Sequence, residues 1–448
     1  MIWNSLLLAA AISFTACRPK TEGTANNPRV DTLITTGAEA RVRTGAEVLL
    51  TERMNLLKGK RIAIVANNTS RVFADSLHPE GTHLVDTLHN LGIQILRVFA
   101  PEHGFRGDQD AGAHVASSVD AKTKIPIVSL FGTTKKPKPE HIKGLDMVIF
   151  DIQDVGARFY TYISTMSYVM EACAEQGVPF VVLDRPNPNG WYVEGPVLEP
   201  AQKSFVGMHT VPVAHGMTVG EYAMMVTGEG WLAGGKRCVV DVIRCRDYTH
   251  NMRWAETGLP WMAPSPNLST EYSAFLYPML CWFEGMKVSV GRGTPTPFEL
   301  LGAPWHKGYQ QALMRDSVMG LAVPGQMELH GLKAEYIKFT PVSTPGKSVT
   351  PDYQDQTCYG IHFLNRVEGK ELFLAGLELL LNMEEEAQNV GMSAILYQPS
   401  FNILIGNATL KTQLKKRMKP EDIYQTWQDG LNRFKVKRKK YLLYPDFD

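Results

Sequence analysis

The sequence predicts an α/β protein in which a first domain built on a parallel sheet is followed by a smaller α+β domain. Three observations carry this prediction. From Leu57 onward, short β-branched runs alternate with helical patterns; the runs are apolar throughout rather than alternately polar; and a polar cluster follows each of four of them. A continuously apolar strand is one covered on both faces, which a parallel sheet flanked by helices provides.

The elements follow in order. Arg61-Ile-Ala-Ile-Val-Ala66 reads as a buried strand, and Gly81 to Leu91 as a helix carrying Leu84, Leu88 and Leu91 on one face. Ile93 to Ala100, Ile125 to Phe131 and Met147 to Asp151 read as further strands. A helix over Tyr160 to Gln176 precedes a strand over Pro179 to Leu183. Near Glu256 to Trp261 the alternation gives way to Pro/Gly-rich segments and mixed signals, such as those at Lys333 to Phe339 and Tyr359 to Asn365. A helix over Gly369 to Leu381 and a terminal helix marked by Ile423, Trp427, Leu431 and Phe434 close the chain. The resulting division is 48–257 for the first domain and 258–448 for the second.

Ligands of such sheets bind beyond the carboxyl ends of the strands. The polar clusters stand there: Asn67-Asn-Thr-Ser70, Pro101-Glu-His-Gly-Phe-Arg-Gly107, Asp151 through Tyr160, and Asp184-Arg-Pro-Asn-Pro-Asn189. Together they point to one lined cleft. No Gly-x-Gly-x-x-Gly follows the first strand, so a nucleotide site is not expected, and no P-loop or Gly-x-Ser-x-Gly elbow occurs.

Composition narrows the function further. With 46 basic and 45 acidic side chains among 448 residues, nothing in the overall charge favours nucleic acid or an anionic membrane surface. The basic cluster Arg433 to Lys440 reads as the solvated end of a packed helix in preference to a contact with an anionic polymer. Six cysteines without CxxC or Cys/His spacing argue against a disulfide scaffold or a zinc site, and no metal or cofactor is expected.

The first residues, Met1 to Ala16, form an apolar run too short to span a bilayer but of the length of a signal-peptide core. Phe14-Thr-Ala-Cys17 resembles a bacterial lipobox, although no Lys or Arg precedes the run. The expectation is a signal peptide over 1–17, lipidation of Cys17, and a polar tether over 18–47. The protein would then be exported to the cell envelope and touch membrane only through its lipid anchor.

Five longer motifs make the chain recognisable. They are Phe99-Ala-Pro-Glu-His-Gly-Phe-Arg-Gly107, Phe150-Asp-Ile-Gln-Asp-Val-Gly-Ala-Arg-Phe-Tyr-Thr-Tyr162, Val182-Leu-Asp-Arg-Pro-Asn-Pro188, Ser265-Pro-Asn267, and Glu284 through Ser289-Val-Gly-Arg-Gly-Thr-Pro-Thr-Pro-Phe298. Together they resemble the exo-β-N-acetylmuramidase family, from about Lys58 to near the C-terminus. The resemblance implies a Rossmann-like first domain without nucleotide, a smaller second domain, and an active cleft between them. It also implies peptidoglycan-derived muramyl saccharides as substrates, with terminal N-acetylmuramic acid released from the non-reducing end.

Glycoside hydrolysis requires a carboxylic acid at the leaving oxygen and, in most cases, a second carboxylate. Glu102, just past a strand end beside His103 and Arg106, is the first choice for the acid, where the family's catalytic glutamate falls. The structural alternative is that it pairs with Arg106 and shapes the turn. Asp151, Asp154, Asp184 and Glu284 are candidates for the second group, and the sugar's own acetamido oxygen is a further one. The lactyl carboxylate suits a bidentate guanidinium, and Arg106, Arg158, Arg185 and Arg292 are available. Asn67, Gln153, Asn187 and Asn267 can bond hydroxyls and the acetamide, Asp154 and Asp184 stand beside them, and Tyr160 can stack on the ring. In His215-Gly-Met-Thr-Val-Gly-Glu221, Thr218 and Glu221 form a capping box, and His215 can bond substrate or satisfy its loop. The competing readings are a non-catalytic lipoprotein that binds cell-wall glycans, and an amidase or esterase.

Overall fold

The computed structural model describes residues 41–73, 80–107, 118–318 and 325–447. Cys17, the signal peptide and the tether up to residue 40 lie outside them, whereas residues 41–47, expected as the end of the tether, belong to the fold: Val42 is buried and bonded to Thr257 O, and Thr44 caps the first helix.

The first strand explains the larger sheet. β1 (Arg61–Ala66) is buried along all but its first residue, and alternate side chains point to opposite faces. Ala63 and Val65 enter one apolar core with Phe99, Phe150 and Val182. Ile62, Ile64 and Ala66 enter a second with Val98, Ile149 and Val181. Both faces must therefore be covered. α1 (Gly45–Glu52) and α2 (Leu84–Asn90) supply Val48, Leu49, Leu84, Val85 and Leu88 to the second core. The long helix over Tyr162–Gln176 supplies Ile163, Met166, Val169 and Met170 to the first. At roughly 1.5–3 kcal/mol per fully buried large aliphatic side chain, this two-sided burial is what holds the sheet.

β2 (Arg71–Val72) and β3 (Thr82–His83) pair antiparallel as a separate ribbon. β4 (Gln94–Ala100), β5 (Ser118–Val119), β6 (Pro126–Ser129), β7 (Met147–Asp151), β8 (Phe180–Leu183) and β9 (Val240–Ile243) join β1. Among the described residues the sheet has the order β5-β6-β4-β1-β7-β8-β9. It is parallel from β6 to β9, with Ile64 opposite Val98 on one side and Ile149 on the other. Only the edge strand β5 is antiparallel.

The second sheet is antiparallel, in the order β10-β13-β12-β11. Its strands are β10 (Leu300–Ala303), β11 (Gln326–Leu329), β12 (Leu332–Phe339) and β13 (Cys358–Phe363). The first core continues without a break into this part of the chain, through Trp282, Leu301, Ile361 and Phe373. Trp282 is wholly buried, with its ring edge-on to Phe373 at 5.3 Å and Trp427 at 6.0 Å between centroids. The architecture is the expected one, a parallel-sheet domain followed by a smaller domain with its own sheet.

Some local boundaries differ from the sequence reading. The helix expected from Gly81 starts at Leu84, because Thr82 and His83 are drawn into the β3 ribbon. The helix from Gly369 runs on to Asn389, since Met383 and Ala387 continue the apolar stripe beyond Leu381. The terminal helix divides into Pro420–Gln425 and Gln428–Arg438, with Trp427 buried at the junction.

Candidate active site

The loop after β4 carries Glu102 and His103. His103 has φ +70°, and the glycine after it has φ +77°. A non-glycine residue in the left-handed region costs on the order of 1–3 kcal/mol and persists only where its surroundings impose it. The turn sets Glu102 half-buried, and Thr161 Oγ1 donates to its Oε2 at 2.8 Å. Thr161 is itself the residue before the helix Tyr162–Gln176, so the carboxylate is held from the end of a second strand–helix connection.

Opposite these loops stand residues of the second half of the chain. Glu102, His103, Thr161, Ser265 and Arg292 give an open cleft of ≈ 390 Å³ its polar lining. Phe159, Tyr160, Leu268, Tyr277 and Phe298 give it an apolar one. The aromatic side chains brace one another edge-on: Tyr277 lies 5.3 Å from Phe159, 5.7 Å from Tyr160 and 4.9 Å from Phe298. Phe298 has φ +59°, so a second residue of the lining holds a left-handed backbone. Arg292 lies over the Phe298 ring at 4.9 Å and donates through Nε to Glu284 Oε1 at 2.5 Å. Burial pushes the Tyr160 and Tyr277 phenols well above their ordinary pKa, so both stay protonated. Tyr160 Oη has no hydrogen-bond partner among the described residues. The cleft thus offers a carboxylate, a guanidinium and an aromatic surface, the groups that bind an anionic sugar.

Of the residues expected here from sequence, Glu102, His103, Tyr160 and Arg292 come together in the cleft, with Glu284 behind Arg292. The others stand in the frame that carries it. Asn67 is fully buried; its Nδ2 donates to Tyr162 Oη at 2.9 Å, and that hydroxyl donates to Pro264 O at 2.5 Å. This chain of bonds ties the end of β1 to the Ser265 loop. Asn267 Nδ2 donates to Lys347 O at 2.8 Å. Gln153 Nε2 donates to the carbonyls of Asp154 and Pro186, and Asn187 Nδ2 to Met217 O.

The arginines part company. Arg106 does not serve Glu102 as the turn-shaping alternative required: its guanidinium bridges Asp86 and Asp120 at 2.8–3.3 Å. Arg158 is 1% exposed and donates to the carbonyls of Pro196, Val211, Leu404 and Ile405. Arg185, 3% exposed, pairs through Nε with Asp151 Oδ1 at 2.7 Å and donates to Arg71 O. All three guanidinium groups are engaged within the protein away from the cleft lining, in which Arg292, itself paired with Glu284, stands.

The buried carboxyls are equally committed. Asp151 is fully buried, and burial pushes its pKa up to about 6 against the opposing charge of Arg185. Asp184 accepts from Arg185 N, Gly220 N, Thr218 Oγ1 and Tyr444 Oη. Asp154 accepts from Gly156 N at 2.8 Å, while its Oδ2 finds no partner among the described residues; burial pushes its pKa up to about 7. His215 is 1% exposed and held neutral by burial, with Nδ1 accepting from Met217 N. Thr218 and Glu221 form the expected capping box. Among the described residues, no group of three or more His, Cys, Asp or Glu side chains gathers to hold a metal ion. The five described cysteines are free and buried.

Sequence reasoning did not single out Phe159, Thr161, Ser265, Leu268, Tyr277 or Phe298. Phe159, Thr161, Ser265 and Phe298 lie inside the long motifs, and their position beside charged residues was a usable signal. Tyr277 had none, because an aromatic residue amid Phe275 to Leu280 reads as core.

Fold and site define a two-domain α/β protein whose sheet-end loops face second-domain loops across an open, aromatic-lined cleft. Profiles of the exo-β-N-acetylmuramidase NamZ N-terminal and C-terminal domains match residues 62–272 and 275–444. The chain belongs to this family. It is 37% identical over 428 residues to the peptidoglycan β-N-acetylmuramidase NamZ of Bacillus subtilis, covering 94% of this chain and 96% of that one. Two DUF1343 family proteins of Bacteroides fragilis, known from crystal structures, share the fold. One is 36% identical with a TM-score of 0.73, the other 29% identical with a TM-score of 0.76; each match covers 91% of this chain and all of the other.

Proposed function

We propose that this protein is an exo-acting β-N-acetylmuramidase that hydrolyses terminal non-reducing N-acetylmuramic acid from peptidoglycan fragments, with Glu102 as general acid. The observation that carries the reading is the placement of Glu102, held by Thr161 on one side of an aromatic-floored cleft that Arg292 lines as well. A sugar lying on Tyr160 and Tyr277 presents its glycosidic oxygen to the Glu102 carboxyl and its lactyl carboxylate to the Arg292 guanidinium. Protonation of that oxygen releases the rest of the glycan as an alcohol, and water completes the hydrolysis at the anomeric carbon.

Asp151, sealed against Arg185, is unsuited to be the second group. Two sources are left: Glu284, beside the cleft on Arg292, and the substrate's 2-acetamido oxygen. Attack by the acetamido oxygen retains the anomeric configuration, whereas a base acting on water inverts it. The Glu102→Gln variant tests the assignment of the acid. It is expected to lose turnover by roughly 10²–10⁴-fold while still binding a muramyl disaccharide in calorimetry. Unaltered turnover would remove Glu102 from the chemistry. A parent that binds the disaccharide without ever cleaving it would favour the glycan-binding lipoprotein instead.

The Phe14-Thr-Ala-Cys17 stretch supports export to the cell envelope and lipid attachment at Cys17 as part of the same reading.

A further inference from the structure

Arg292 lines the cleft, whereas its carboxylate partner Glu284 stands outside the lining. The loop that carries Arg292 is tied down on both sides of it. Gly291, at φ +81°, accepts through its carbonyl from Thr294 N and Oγ1, and Gly293, at φ +79°, accepts from Val342 N at 2.9 Å. Glu284 sits on the turn Cys281–Gly285, where Gln398 N donates to Gly285 O at 2.8 Å and a Cβ on Gly285 would lie 2.6 Å from Phe401 Cα. Backbones held in this way fix where the two side chains meet.

Both carboxylate oxygens of Glu284 are turned to protein donors. Oε1 accepts from Arg292 Nε at 2.5 Å and Oε2 from the Cys281 thiol at 3.6 Å. Burial, with the Glu284 charge beside it, raises the pKa of that thiol well above its ordinary value, so it stays a donor. On Arg292, Nε is the only nitrogen that makes a hydrogen bond among the described residues, and the Phe298 ring lies 4.9 Å from the guanidinium. The Nη1–Nη2 edge is left as a planar, two-pronged donor on a side chain that is 26% exposed. Asp352 and Lys287 stand near the pair with opposite charges, and neither bonds to the guanidinium.

We propose that Glu284 is the positioning residue of Arg292: it holds Nε so that the Nη1–Nη2 edge meets the substrate, and it takes no part at the anomeric carbon. The proposal rests on the muramidase reading above and sets aside one of the two sources which that reading leaves for the second group. A carboxylate that acts at the anomeric carbon must turn an oxygen to the sugar, and Glu284 turns neither.

The test is a double-mutant cycle on the full chain with a chromogenic N-acetylmuramic acid glycoside. Glu284→Ala is expected to raise KM about tenfold while kcat stays within about threefold, because the interaction lost is one made with bound substrate. Glu284→Gln, whose amide oxygen can still accept from Nε, should recover most of that KM, and it decides the matter by the same split if Glu284→Ala fails to fold. Arg292→Ala should raise KM further, and adding Glu284→Ala to it should change little more, since a residue that acts through another has no effect once that other is gone. A kcat lowered by about a hundredfold in Glu284→Gln, or turnover of Glu284→Ala restored by azide, would put the carboxylate at the anomeric carbon and overturn the proposal. Additive losses in the cycle would overturn it as well, by making Glu284 independent of Arg292. No turnover by the parent would instead sink the muramidase reading itself.

Discussion

At the scale of single residues, burial separates the side chains that can do chemistry from those that hold the frame. Asp154 makes the distinction measurable. Its carboxyl is 5% exposed, one oxygen is unpartnered among the described residues, and burial lifts its pKa from the ordinary value near 4 up to about 7. A raised folded-state pKa means that ionisation opposes folding. The cost is absent below about pH 4, where the group is protonated in both states, grows as pH rises, and is complete above about pH 7. At about 1.4 kcal/mol per pKa unit, it is on the order of 4 kcal/mol at most. Asp154→Asn should therefore gain stability over the parent between pH 4 and pH 8, measured by urea unfolding at each pH. A difference independent of pH would show that the carboxyl is not held in this state. Nothing in the letters Asp151-Ile-Gln-Asp154 distinguishes a buried carboxyl from one facing substrate, and for this reason the sequence reading could place Asp154 near the sugar.

At the scale of elements, strands were the most legible part of the chain. β1, β4 and β7 fall within a residue of where their apolar runs put them, since a strand buried on both faces admits hardly any polar residue. The rule that ligands sit at the carboxyl ends of strands located Glu102, His103 and Tyr160. It did not separate them from Asn67, Asp184 and Asn187, which occupy equivalent positions but are bonded to side chains and backbone of the surrounding frame. Arginines were the least legible, because a guanidinium suits a carboxylate ligand and a cluster of buried carbonyls equally well. Arg158 is the clearest case. Its four carbonyl acceptors, on Pro196, Val211, Leu404 and Ile405, pin the segments around 196 and 211 to the Phe401–Ile405 helix. Gly406, at φ +72°, is the residue whose Cβ would collide with that guanidinium. Arg158→Met keeps much of the volume and strands all four carbonyls, so a loss of about 3–5 kcal/mol is expected in denaturant unfolding. A change under about 1 kcal/mol would contradict this structural role.

At the scale of the molecule, one apolar core runs through the parallel-sheet domain into the second, and the C-terminal segment returns to the first. Leu443 N donates to Glu221, Tyr444 Oη to Asp184, and Arg438 grips Gly216 O and Asp446. The cleft thus lies between loops of two domains that share hydrophobic packing, a rigid setting for groups that must meet one sugar. Periodicity in the sequence could not show this closure, because Glu102, Tyr277 and Arg292 are brought together across nearly two hundred residues. Among the described residues, no helix is long and apolar enough to cross a membrane. The lipid attachment proposed at Cys17 has its own test. Cells fed a labelled fatty acid should incorporate it into the parent and not into Cys17→Ser; labelling of both, or of neither, would refute the anchor.

The account turns on a single bond, the β-glycosidic link of a terminal N-acetylmuramic acid. Its most direct test is mass spectrometry of the products formed from N-acetylmuramyl-N-acetylglucosamine. Free N-acetylmuramic acid and N-acetylglucosamine should accumulate in equal amounts with the parent and be nearly absent with Glu102→Gln. An intact disaccharide after prolonged incubation, or cleavage confined to the lactyl or peptide portion of a larger fragment, would contradict it.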